Sequence, residues 1–108
     1  MASDSELSSN KLYEEASDFM SNDQFDQALE IYTLAIEKCD PNNKSTLFKY
    51  YIGRSQAYLK LNRNIEALND ADAALGLNSD DSRAFLVFYS LIILIRTIFS
   101  ILTLNIYI

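Results

Sequence analysis

The chain has 108 residues, 49% of them apolar, with 9 Lys and Arg against 15 Asp and Glu, no His, a single Cys and a net charge of −6. That is room for one small domain, and the scattered cations of an acidic chain form no basic patch of the kind phosphate neutralisation needs, which excludes nucleic acid. Without histidine there is no imidazole base and no His-ligated metal.

Met1 to Asn10 is acidic and polar, with neither the basic head nor the apolar stretch of a secretory signal. Residues 1–8 are therefore expected to be disordered, and synthesis in the cytoplasm is expected. Leu12, Ala16 and Phe19 then recur at spacings of four and three, the stripe of an amphipathic helix. Ser21-Asn22-Asp23-Gln24 is a short polar turn that sends the chain back antiparallel. The second predicted helix runs from Phe25 with Ala28, Tyr32 and Ala35 along one face, and Asp40-Pro41-Asn42-Asn43 stops it, because proline cannot continue a helix. Cys39 beside that stop has no His partner and reads as a packed structural thiol.

The next segment repeats the pattern. Tyr51, Ser55 and Tyr58 mark a third helix, Asn62-Arg63-Asn64 a turn, and Ala67, Ala71 and Ala74 a fourth helix that ends at Gly76-Leu77-Asn78-Ser79-Asp80-Asp81. Small residues at matched places let paired helices approach closely. The order large, small, aromatic, Ala, aromatic or Ala, Ala thus occurs twice, in Leu12, Ala16, Phe19, Ala28, Tyr32, Ala35 and in Tyr51, Ser55, Tyr58, Ala67, Ala71, Ala74.

This order resembles the tetratricopeptide-repeat (TPR) family, whose unit of about 34 residues has that pattern. The resemblance covers about two-thirds of the chain. It departs from the family in an Ala28 to Ala67 offset of 39 residues, in a Pro41 displaced by one place, and in Ser79 where proline is usual. The surplus residues fall around Asn42 to Thr46 and are expected to lengthen the second helix or its following loop. The implied fold is all-α: two full helical hairpins plus the start of a third in a right-handed superhelical array, with an apolar C-terminal helix. The expected organisation is a TPR domain over residues 9–81, with repeats at about 9–43 and 48–81, followed by 82–108 as a degenerate third-repeat helix or hydrophobic tail.

The resemblance further implies a concave face lined by the first helix of each repeat. On this sequence its residues are Asn10, Tyr13, Ser17, Met20 and Ser21, then Lys49, Ile52, Gln56, Leu59 and Lys60, with Arg83 opening the third unit. That groove is mixed and mildly basic, suited to an extended peptide with an acidic end. The carboxylate clamp of some family members is not expected, since its slots hold Tyr13, Ser17, Gly53, Arg83 and Val87, with one basic residue among them. Glu14, Glu15, Asp18, Asp70 and Asp72 read as solvated helix-face carboxylates. No Gly-rich phosphate loop is present, and neither an enzyme nor a cofactor is expected.

From Phe85 the repeat register fails, and 16 of the last 24 residues are Ile, Leu, Val or Phe, interrupted by Arg96 and Asn105. Three readings stay open: a tail anchor that crosses a membrane, an alternative or truncated end of a longer repeat array, and a helix that caps the second repeat. The function expected from the resemblance is a co-chaperone or adaptor module that binds a protein partner, weakly similar to the N-terminal repeats of SGT-type co-chaperones, which work with heat-shock chaperones and ubiquitin-ligase subunits. The alternative is a tail-anchored membrane receptor that presents its repeats to the cytosol.

Overall fold

A computed structural model of the chain describes residues 4–77 and 82–106, with side chains at 7–77 and 91–104. Within those residues it is all-α, with α1 at Asp4–Ser21, α2 at Phe25–Lys38, α3 at Lys44–Lys60, α4 at Asn64–Leu77 and α5 at Ser82–Ile106. Neighbouring helices pack in pairs, α1 on α2 and α3 on α4, with α2 against α3 and α4 against α5, the arrangement of TPR-like helical repeats.

The matched alanines are what allow this. Ala16, Ala28, Ala35, Ala57, Ala67, Ala71 and Ala74 are all fully buried, so helix backbones approach with little between them but methyl groups. Ser55 occupies the small-residue place of the second repeat, and its buried hydroxyl donates to the Ala67 carbonyl of α4 at 3.0 Å. Tyr32 packs with Ala16, Ala28 and Ala57 in one cluster, and Tyr50 joins Ala35, Cys39 and Leu47 in the next. The aromatic rings span the gaps that the alanines leave.

The hairpin turns share one backbone device. Asp23 and Asn62 both adopt left-handed conformations, at φ 59° and 61°. In each turn the next amide reaches back five residues, Gln24 N to the Phe19 carbonyl and Arg63 N to the Tyr58 carbonyl, both at 2.9 Å. These are Schellman closures, in which a left-handed residue satisfies the last free carbonyls of a helix. Asp and Asn accept that conformation better than most side chains.

Several expectations are corrected. α1 begins at Asp4, inside the segment 1–8 expected to be disordered. Further along it, Ser9 is buried 3.2 Å from the Tyr50 hydroxyl. The surplus between repeats lies neither in α2 nor in the loop: α2 and α4 are both 14 residues long, and residues 44–47 form an added first turn of α3, anchored by buried Leu47. Asp70 is no solvated carboxylate. It is 5% exposed and bound by Arg54.

Among the described residues no helix is long and apolar enough to cross a membrane, so the tail-anchor reading of 85–108 finds no span there. Instead α5 lies along α4, with Ile93 buried at 1% exposure. Thr97 comes beside the Asn62 to Glu66 corner at the start of α4. At 25 residues against 14, α5 outruns α4, and the turns after Thr97 project past its end.

Candidate functional site

The groove on the α1 and α3 side is organised by Tyr13. Its ring stacks on buried Tyr50 at 5.2 Å between centroids and tilts against Tyr32 at 5.8 Å. Lys49, one residue before Tyr50 on α3, holds its ammonium 4.7 Å above the Tyr13 ring. A cation over an aromatic face is attracted by the ring quadrupole, and this fixes one positive charge at the groove wall.

Tyr13, Phe48, Lys49, Ile52, Gly53 and Gln56 enclose an open hollow of about 400 Å³. A second, of about 350 Å³, is lined by Met20, Gln56, Leu59, Lys60 and Arg96. Gln56 belongs to both, so they form one run. Lys49, Lys60 and Arg96 line it, all three solvent-exposed, while among the described residues no Asp or Glu lines either hollow. A cationic groove on a chain of net charge −6 is a local reversal of sign.

Gly53 sets the depth of the first hollow. A Cβ at that position meets Tyr32 Cε1 at 2.7 Å and Cζ at 2.8 Å, closer than van der Waals contact allows. Only glycine lets the Tyr32 ring rest on the α3 backbone there. Burial raises the Tyr32 phenol above its ordinary range, an effect partly offset by the Ser17 hydroxyl 3.5 Å away.

The expected site residues divide into two sets. Tyr13, Lys49, Ile52, Gln56 and Lys60 line the groove. Asn10 and Ser17 are taken up by packing: the Tyr50 hydroxyl donates to Asn10 Oδ1 at 2.6 Å, and Ser17 faces Tyr32. The side chain of Arg83 lies outside the described residues, as does that of Val87. Phe48 and Arg96 are groove residues that sequence reasoning missed. Phe48 falls in the added turn's first junction with the repeat, and Arg96 falls where the repeat register is lost. Among the described residues no group of three or more Cys, Asp or Glu is placed to hold a metal ion.

No family model matches the chain, and no solved structure matches it. It is 37% identical over 65 residues to the DnaJ homolog subfamily C member 7 homolog of Schizosaccharomyces pombe, covering 60% of this chain and 13% of that protein. It is 33% identical over 74 residues to Protein unc-45 homolog B of Danio rerio, covering 68% of this chain and 8% of that protein. Hsc70-interacting protein 1 of Drosophila melanogaster is 42% identical over 57 residues, which are 53% of this chain and 14% of that protein. The chain thus spans about a tenth of the length of these curated relatives. Together with the paired helices, these similarities support a TPR-like family.

Proposed function

We propose that the chain is a protein-interaction module of the co-chaperone or adaptor kind, which takes an extended, acidic segment of a partner protein in the α1–α3 groove. The observation that carries this is the sign reversal: Lys49, Lys60 and Arg96 line one run with Tyr13, Phe48 and Ile52 in an otherwise acidic chain. Apolar floor and cationic walls suit a peptide that alternates apolar and acidic side chains. The likeness to a protein named for interaction with Hsc70 makes a heat-shock chaperone the first partner to test, with ubiquitin-ligase subunits, as for SGT-type co-chaperones, the second. The cytoplasm is the proposed place of action.

The clamp type of peptide binding has no support in this groove. Three of its five slots hold Tyr13 and Ser17, which face Tyr50 and Tyr32, and Gly53, which lies under the Tyr32 ring; the side chains of the other two, Arg83 and Val87, lie outside the described residues. Binding is therefore to depend on acidic side chains along the segment and not on a terminal carboxylate. The test is affinity capture from cytosol by the wild-type chain and by Tyr13→Ala with Lys49→Ala. Loss of the same partners in the double variant, with helicity unchanged, is the expected result. Equal capture by both places the partner on another surface.

A further inference from the structure

A TPR-like unit is a hairpin, and among the described residues α5 packs on α4, with Ile93 buried, Thr97 beside the start of α4 and Arg96 beside Lys60, while no further helix pairs with its opposite face. Nine large apolar side chains between Leu91 and Leu104 are 42–70% exposed. They amount to roughly 900 Å², where the largest apolar patch of a monomer is about 300–600 Å² and a standard interface buries about 800 Å² per partner. Such a surface is large enough to hold two proteins together.

Its pattern narrows the occupant. Leu91, Ile95, Ile98 and Leu102 follow one another at spacings of four, three and four, the seam of a coiled coil. That spacing reads the same in either direction. Reversed against itself, it sets Leu91 opposite Leu102 and Ile95 opposite Ile98, so a second copy of α5 running antiparallel matches every seam residue at once. On the helical wheel the seam lies opposite Ile93, a buried residue of α5. Arg96 turns away from it, into the groove beside Lys60. Charge sets the direction: each copy carries −6, and an antiparallel pair places the two acidic repeat bodies at opposite ends of the seam.

We infer that the chain forms a two-fold homodimer through an antiparallel α5–α5 pair centred between Ile95 and Ile98, the second copy supplying a helix mate for α5. Such an interface is isologous and closes at two chains.

The test is sedimentation equilibrium of the full chain across the micromolar range. The wild type is expected at about 25 kDa, twice its 12.3 kDa, while Ile95→Glu with Ile98→Glu sediments as a monomer of unchanged helicity. Ser100→Glu, on the side away from the seam, keeps the dimer. In oxidised mixtures Leu91→Cys links to Leu102→Cys, and Leu91→Cys alone does not link to itself. A monomeric wild type, a dimer that survives the double substitution, open-ended assembly, or Leu91→Cys self-linkage overturns the proposal. So does monomeric wild type that floats with phosphatidylcholine vesicles, which assigns the face to lipid.

Discussion

Arg54 on α3 grips Asp70 on α4 with both ends of its guanidinium, Nη2 to Oδ1 at 2.7 Å and Nε to Oδ2 at 2.8 Å. The same guanidinium lies between the rings of Tyr51 and Tyr58, at 5.5 and 5.8 Å, and its Nη1 reaches the Thr33 hydroxyl of α2 at 3.4 Å. One side chain thus ties three helices. The hydrogen bonds that Arg54 donates to Asp70 raise the Arg54 pKa above its already high ordinary value.

Removing one partner of such a pair strands the other charge. The two side chains are 18% and 7% exposed, and breaking a pair at that depth costs about 3 kcal/mol. Asp70→Ala is expected to lower stability by that amount in urea denaturation. The apolar replacement Arg54→Met with Asp70→Leu is expected to recover most of it, since it leaves no charge behind. If the double variant is as weak as the single, the tie to Thr33 and the tyrosines matters more than the ion pair.

The glycines give opposite predictions. Gly53→Ala forces the Tyr32 ring aside and is expected to cost about 1–3 kcal/mol, the range for overpacking. Gly76, inside α4, has no atom of the described residues within 4 Å of the place a Cβ takes. Gly76→Ala is expected to gain about 0.5–1 kcal/mol by reducing the freedom of the unfolded chain. Thermal unfolding of the two variants separates them by sign.

Asp23 and Asn62 predict a backbone effect without a contact. Asp23→Gly and Asn62→Gly are expected to hold or raise stability, because glycine adopts the left-handed conformation without a steric penalty. Asp23→Val is expected to cost about 1–2 kcal/mol. Urea midpoints for the three variants check this order.

The buried Tyr32 phenol titrates above its ordinary range. A proton held more tightly in the folded state adds stability that is complete below the unfolded value of about 10 and is lost as pH rises through the folded one. The stability of the wild type relative to Tyr32→Phe is therefore expected to fall once the pH exceeds about 10, and to be level between about pH 7 and 9. Paired denaturation curves measure the difference, in which the other tyrosines cancel.

The sequence reveals what occurs twice. Ala28, Tyr32 and Ala35 repeat as Ala67, Ala71 and Ala74, and each of the six is buried. The Arg54–Asp70 tie has no such double: the matching places of the first repeat hold Glu15 and Ile31, so comparing the chain with itself does not single it out. The left-handed residues do sit at matched places, Asp23 and Asn62, but turn composition alone does not say which residue takes the positive φ. In the groove, Tyr13, Lys49, Ile52, Gln56 and Lys60 are places that the family resemblance implies. Asn10 and Ser17 share that implication and are drawn inward by the tyrosine hydroxyls, which no spacing announces. Arg96 reaches the groove through the length and path of α5, a property of tertiary packing.

Tyr50 is the residue whose position bears on how the chain unfolds. Its ring is wholly buried on α3, while its hydroxyl reaches back 40 residues to Asn10 and stands by Ser9 on α1. In a linear array each unit otherwise leans only on its neighbour, and such arrays fray from their ends one unit at a time. A side chain shared by the first helices of both repeats couples their melting. Residues 4–77 should therefore lose structure in a single cooperative step, and Tyr50→Phe, which keeps the ring and gives up the hydroxyl, should broaden that step toward two.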